Sequence, residues 1–191
     1  MPRIDAPTVA EHHAQRRAAL LAAAEELLAE QGVEAVTPAA VGARAGLARS
    51  SVYQYFSSSP AIVAAVVEDA FPRAIEQLRA AMAATTTPSE QVDAYVTTAL
   101  RLAGDRTHRS LRALAVADLP EHCQARMDEL HREQTTPLVD ALKALGAPDP
   151  ALTAALVSGV VRAAAQAVAE GAPAARVTRR TLALIHEGIG A

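Results

Sequence analysis

Between residues 35 and 67 the chain has no acidic side chain, yet it holds Arg44, Arg49, Ser50, Ser51, Tyr53, Gln54, Tyr55 and Ser59. Such a set can address a polyanion. Arg49 offers two parallel donors that match the O6 and N7 acceptors of guanine in a major groove. Gln54 can reach a base edge or a phosphate; the sequence contains no Asn, so amide readout of bases falls to Gln alone. Ser50 and Ser51 are small enough to approach a groove closely and can donate to phosphate, and the hydroxyls of Tyr53 and Tyr55 suit the nucleic-acid backbone. Arg44 reads two ways, as a phosphate contact or as the partner of a helix C-terminus.

These side chains need elements that present them. Leu20, Leu21, Ala24, Leu27 and Leu28 recur on one face of a helix over 11–31, and Gly32 is placed to end it. Thr37-Pro38 reads as an N-cap followed by a first helical residue, and Gly46 keeps the helix it opens short. A further helix is expected over 49–55. Val41, Ala45, Leu47 and Val52 are spaced to pack the two short helices together, which leaves Ala48, Arg49, Ser50, Ser51, Tyr53 and Gln54 on or near the open side. Two short helices around a glycine turn, after a longer helix, form a helix-turn-helix pattern. Glu25, Glu26 and Glu30 of the first helix are expected to face away from the nucleic acid.

Ser59-Pro60 repeats the cap signal and opens a long helix bearing Ile62, Val66, Phe71, Leu78 and Met82 at helical spacing. Further helices are expected over 89–103, 108–118, 123–145, 151–170 and 177–188, with breaks at Gly and Pro. No stretch alternates as a strand would. The expected fold is all-α, with about nine helices. Residues 1–58 form an N-terminal arm and helix-turn-helix domain, and 59–191 a helical body.

Composition agrees. Of 191 residues 51% are hydrophobic, chiefly Ala, Leu and Val, and 3% are aromatic. The net charge of −3 does not by itself announce a nucleic-acid partner. Cys123 stands alone, so no intramolecular disulfide can form, which suits a reducing cytoplasm. No signal-type run opens the chain, and the Ala-rich stretch 154–169 is interrupted by Ser158, Gly159, Arg162 and Gln166. A soluble cytoplasmic protein without a membrane partner is expected. The glycine loops and nucleophile or metal motifs of common enzymes are missing, so neither enzymatic activity nor a cofactor is expected. His12 and His13 are placed in the N-terminal arm, the other histidines are scattered, and no metal site is expected. Arg101, Arg106, Arg109 and Arg112 read as a solvated basic run, with contact to an anionic ligand as the lesser reading.

The stretch 16–67 resembles the DNA-binding domain of the TetR family of repressors. The matching pieces are Glu30-Gln31-Gly32, then Thr37, then Val41-Gly42-Ala43-Arg44-Ala45-Gly46-Leu47, then Ser51-Val52-Tyr53-Gln54-Tyr55-Phe56. The resemblance implies that Thr37 contacts phosphate and that Ala48, Arg49, Ser50, Ser51, Tyr53, Gln54 and Tyr55 line the DNA face. Family members usually carry a lysine where Ser59 stands and a polar residue where Pro38 stands. Phosphate grip then falls more heavily on Arg16, Arg17 and the arm.

The resemblance further implies a homodimer on double-stranded, palindromic operator DNA, released by a small-molecule effector whose identity the sequence leaves open. The helices between 59 and 145 would enclose the effector, with Phe71, Leu78, Met82, Tyr95, Met127 and His131 as candidate lining; taken singly, each reads more readily as ordinary core. The last two helices would form the dimer interface through Leu152, Leu156, Gly159, Val160, Ala163, Leu184 and Ile185. The alternative function is a helical small-molecule-binding or interaction protein in which DNA binding is weakened or lost.

Overall fold

The computed structural model describes residues 9–104 and 121–189. Every regular element among them is helical: α1 (Val9–Gln31), a 3-10 turn (Val33–Ala35), α2 (Pro38–Arg44), α3 (Arg49–Val52), α4 (Ser59–Ala83), α5 (Pro88–Gly104), α6 (Glu121–Ala144), α7 (Pro150–Ala169) and α8 (Ala174–Ile189). The all-α expectation holds. The helix expected over 108–118, and with it Arg106, Arg109 and Arg112, lies outside the described residues.

The chain divides into two compact units, with the boundary between Asp69 and Ala70 inside α4. In the first unit the apolar stripe of α1 is buried as its spacing requires, with Leu20 and Ala24 fully enclosed. Val41, Val52, Phe56, Ile62 and Val66 are buried as well. In the second unit one continuous core runs through Leu78, Met82, Tyr95, Leu102, Leu138, Leu142, Val157 and Ile185, joining α4, α5, α6, α7 and α8.

Local chemistry sets the helix starts. The Thr37 hydroxyl accepts from the Ala40 N–H at 3.2 Å and Pro38 takes the first helical position, as the sequence indicated. At α4 the cap falls one residue earlier than the Ser-Pro pair suggests: Ser58, not Ser59, accepts from the Ala61 N–H at 3.3 Å. At α5 Thr87 and Glu90 form a reciprocal capping box. The Thr87 hydroxyl accepts from the Glu90 N–H, and the Glu90 carboxylate accepts from the Thr86 and Thr87 N–H groups. Those bonds hold the Glu90 carboxyl below its ordinary range, the Thr87 backbone contributing most.

Two expectations are corrected. His12 and His13 belong to α1 and not to an arm, because α1 begins at Val9. The helix over 49–55 is shorter, α-helical only over Arg49–Val52. Beyond it the bonds Gln54 N–H to Ser51 O and Tyr55 N–H to Val52 O span three residues, the tighter winding of a 3-10 turn. By length and composition α7 is long and apolar enough to cross a membrane. Its inner face nonetheless packs through Ala154, Val157, Val161 and Ala165 into the core of the second unit.

Candidate nucleic-acid interface

The turn between α2 and α3 is set by two glycines with different tasks. Gly46 sits at φ 69°, a left-handed conformation that disfavours a Cβ. Gly42 is buried, and a Cβ there would lie 2.8 Å from the Leu47 carbonyl oxygen and 3.0 Å from a Val52 methyl. Only a bare backbone lets α2 approach the turn and α3 so closely. The Leu47 N–H donates to the Gly42 carbonyl at 2.8 Å, which closes the turn. The sequence motif contains Gly42, but its steric role emerges only from the packing.

With Val41 and Val52 turned inward, Ala48, Arg49, Ser50, Tyr53 and Gln54 all stand exposed, and Ser51 and Tyr55 are half-buried. Arg49 donates to the Tyr53 hydroxyl at 3.0 Å, with its guanidinium carbon 5.6 Å from the centroid of the same ring. The pair is one turn apart on the same face. It presents a cation and an aromatic edge together, with the remaining guanidinium donors still available.

Arg44 is placed differently. Its guanidinium donates to Glu26 at 3.2 Å and to Glu30 at 3.0 Å, both on α1. These bonds, Glu26's first, raise its pKa further above the ordinary arginine value. The partner is therefore a pair of carboxylates, an option neither reading of Arg44 contained. Thr37 serves as the α2 cap while remaining exposed, and Ser59 is half-buried in the first turn of α4.

The start of α1 reaches the same region. The His13 and Tyr55 rings lie 4.5 Å apart at 33°, and the Arg17 guanidinium stands 5.9 Å over the ring of Phe56. His13 was not among the sequence candidates. Nothing in its spacing reveals a partner forty-two residues away.

In the second unit Phe71, Leu78, Met82, Tyr95 and Met127 are buried side chains. The Tyr95 hydroxyl is pushed above its ordinary pKa by burial, offset in part by Ser158. His131 is exposed as a residue, but its ring meets the buried Phe71 edge-on, with centroids 5.0 Å apart. Arg101 donates to Gln77 at 3.0 Å. Of the residues expected at an interface between copies, Leu152, Leu156 and Leu184 are more than half exposed, Gly159 and Ala163 are open and Val160 is half-buried. Ile185 differs, being buried in the protomer's own core. Among the described residues no cluster of His, Cys, Asp or Glu could hold a metal.

A helix-turn-helix with an exposed, acid-free second helix, among described residues whose regular elements are all helical, is the arrangement of a DNA-binding regulator. Residues 20–66 match the family model of the bacterial regulatory proteins of the tetR family. No curated relative matches the chain by sequence. Solved structures share the fold. A transcriptional regulator of the TetR/AcrR family from Thermobifida fusca is 22% identical over 90% of this chain and 96% of its own, with a TM-score of 0.71. The regulator FadR from Bacillus subtilis, in complex with stearoyl-CoA, is 17% identical over 88% and 96%, with a TM-score of 0.77. AibR, in complex with isovaleryl coenzyme A and operator DNA, is 16% identical over 88% and 97%, with a TM-score of 0.76.

Proposed function

We propose that this protein is a homodimeric repressor that binds a palindromic operator and leaves it when a small molecule binds the helical body. The observation that carries the reading is the exposed row Ala48, Arg49, Ser50, Tyr53 and Gln54 behind a tightly closed glycine turn. Arg49 reads a guanine edge and Tyr53 and Gln54 hold the backbone. Thr37, Ser51, Tyr55 and Ser59 border that row. Arg16 and Arg17, both exposed on α1, supply the phosphate contacts that Ser59 does not. Arg44 supports the domain by its ion pairs to α1.

A dimer presents two such rows to successive major grooves, about 34–36 Å apart on one face of DNA, which calls for a palindromic site. An effector near Phe71, Met127 and His131 supports release only if it prefers the conformation that does not bind DNA. The acyl-CoA complexes of FadR and AibR support a small-molecule effector for this chain, of a class still open. Because α4 runs from one unit into the other, it is the covalent route by which such a preference would reach the DNA-binding unit.

The test is a salt-dependent mobility shift on fragments upstream of the protein's own gene. Specific binding that falls steeply with salt, and is lost when Arg49 and Tyr53 are replaced together, is the expected result. No binding to any fragment would favour an interaction protein. Binding retained in the double variant would move the reading row elsewhere.

A further inference from the structure

We infer that His13 is a DNA contact and that it makes DNA binding draw a proton: its imidazolium, seated on the Tyr55 ring, takes a backbone phosphate beside the exposed row of α3. The inference rests on the DNA-binding reading above and adds to it a residue and a pH dependence.

The first half of α1 has no buried face. Every residue from Ala10 to Ala19 is exposed, and Leu20 is the first to enter the core. That stretch makes nearly three turns and about 15 Å of helix. Two side chains one turn apart tie it to the rest of the domain. The His13 ring lies 4.5 Å from the Tyr55 ring at 33°, and the Arg17 guanidinium stands 5.9 Å over Phe56. Tyr55 and Phe56 in turn both donate their N–H groups to the Val52 carbonyl, which winds the chain tightly beyond α3. His13 is therefore seated at the end of the exposed row that carries Arg49, Tyr53 and Gln54.

Charge names the occupant. Arg16 and Arg17 stand one turn further along the same side of α1, and His12 is adjacent. Glu11 comes two residues before His13, which turns the helix by about 200° and sets it on the other side. The next acid of α1 is Glu25, about 18 Å along the axis. Across from His13, the segment that carries Tyr55 holds no carboxylate, and neither do α2 and α3. A face of cations and one titratable ring is complemented by a polyanion, and a duplex held by the α3 row brings its phosphates there. Histidine is the side chain whose charge ordinarily changes between about pH 5 and about pH 8. Neutral imidazole offers one N–H, whereas imidazolium offers two and a charge, and an aromatic face favours the cation. A phosphate thus prefers the protonated form, so the complex takes up a proton and affinity rises as pH falls. Arg16 and Arg17 alone give no such dependence, because arginine stays charged throughout.

The experiment uses full-length protein and a labelled duplex of mixed sequence, about 30 base pairs long, at about 50 mM salt, where phosphate contacts carry the binding and no operator need be known. Fluorescence anisotropy is expected to show wild type gaining about fivefold in affinity between about pH 8 and about pH 6. His13→Gln should lose most of that gain. His13→Lys, charged throughout, should bind at the upper pH as tightly as wild type does at the lower one, with a flat profile. His12→Gln should keep the gain. Circular dichroism at each pH confines the comparison to folded protein. Calorimetry in two buffers of different ionisation enthalpy should show proton uptake on binding by wild type and little by His13→Gln. A wild-type affinity that ignores pH, a His13→Gln profile that matches wild type, or loss of the gain in His12→Gln instead would each overturn the inference and leave the DNA-binding reading standing. If wild type binds no duplex at any pH, the DNA-binding reading itself fails.

Discussion

The Arg49 guanidinium donates to the Tyr53 hydroxyl at 3.0 Å while lying 5.6 Å from that ring's centroid. The two side chains thus form one exposed unit, and the proposed function makes that unit a DNA contact. Arg49→Ala is expected to cost about 1–3 kcal/mol on the specific operator and to relax preference at one guanine. Tyr53→Phe removes the hydroxyl and is expected to weaken binding to all sequences. The two changes should not be additive, because they share a contact. Binding titrations on specific and random DNA check this. Equal losses on both for Arg49→Ala would make Arg49 a phosphate contact.

Gly42 and Gly46 should respond to substitution for different reasons. Gly42→Ala meets a backbone carbonyl at 2.8 Å, and the resulting strain is expected to cost about 1–3 kcal/mol. At Gly46 nothing lies within 4 Å of an added Cβ, so Gly46→Ala suffers only from its left-handed backbone, about 1–2 kcal/mol. Gly46→Asn should be milder than Gly46→Ala, since asparagine tolerates that conformation, whereas Gly42→Asn should be worse than Gly42→Ala. Thermal denaturation of the four variants, followed by circular dichroism, decides the matter.

Arg44→Gln should lower the melting temperature slightly, and the loss should shrink as salt is added, because its pairs with Glu26 and Glu30 are exposed. Operator affinity at a temperature where the variant is fully folded should stay near wild type. A large affinity loss without a stability change would return Arg44 to the DNA face.

His131 gives a pH dependence with a defined sign. Burial holds its pKa below the ordinary value of 6.5; the Met127 backbone opposes that shift, Arg162 adds to it and Asp128 opposes it. The folded protein therefore resists a proton that the unfolded chain accepts. Its contribution to stability is fully present above 6.5 and is lost as pH falls through that value toward the folded pKa. His131→Gln should flatten this part of the profile. Melting curves between about pH 7.5 and about pH 5.5 test it; an unchanged slope in the variant would assign the dependence to another group.

Effector and operator should oppose each other by the same factor, since binding free energies are reciprocal. A ligand, once identified, is expected to bind more weakly when operator is present. Equal affinity with and without DNA would remove the repressor–inducer mechanism even if DNA binding is confirmed.

The sequence alone determined what depends on neighbours along the chain. Helical periodicity placed the apolar stripe of α1, and Thr37-Pro38 placed the start of α2. The spacing of Val41, Gly46 and Val52 announced the helix-turn-helix, because capping and amphipathic patterning are properties of contiguous residues. Tertiary structure decided what depends on distant residues meeting. It paired Arg44 with Glu26 and Glu30, brought His13 onto Tyr55, gave Gly42 its steric necessity and sent Ile185 into the core while leaving Leu184 outside. Periodicity identifies an apolar face but not which neighbour covers each side of it. At α8 that covering turns on a rotation of the helix by a fraction of a turn, which only the packing of α5, α7 and α8 sets.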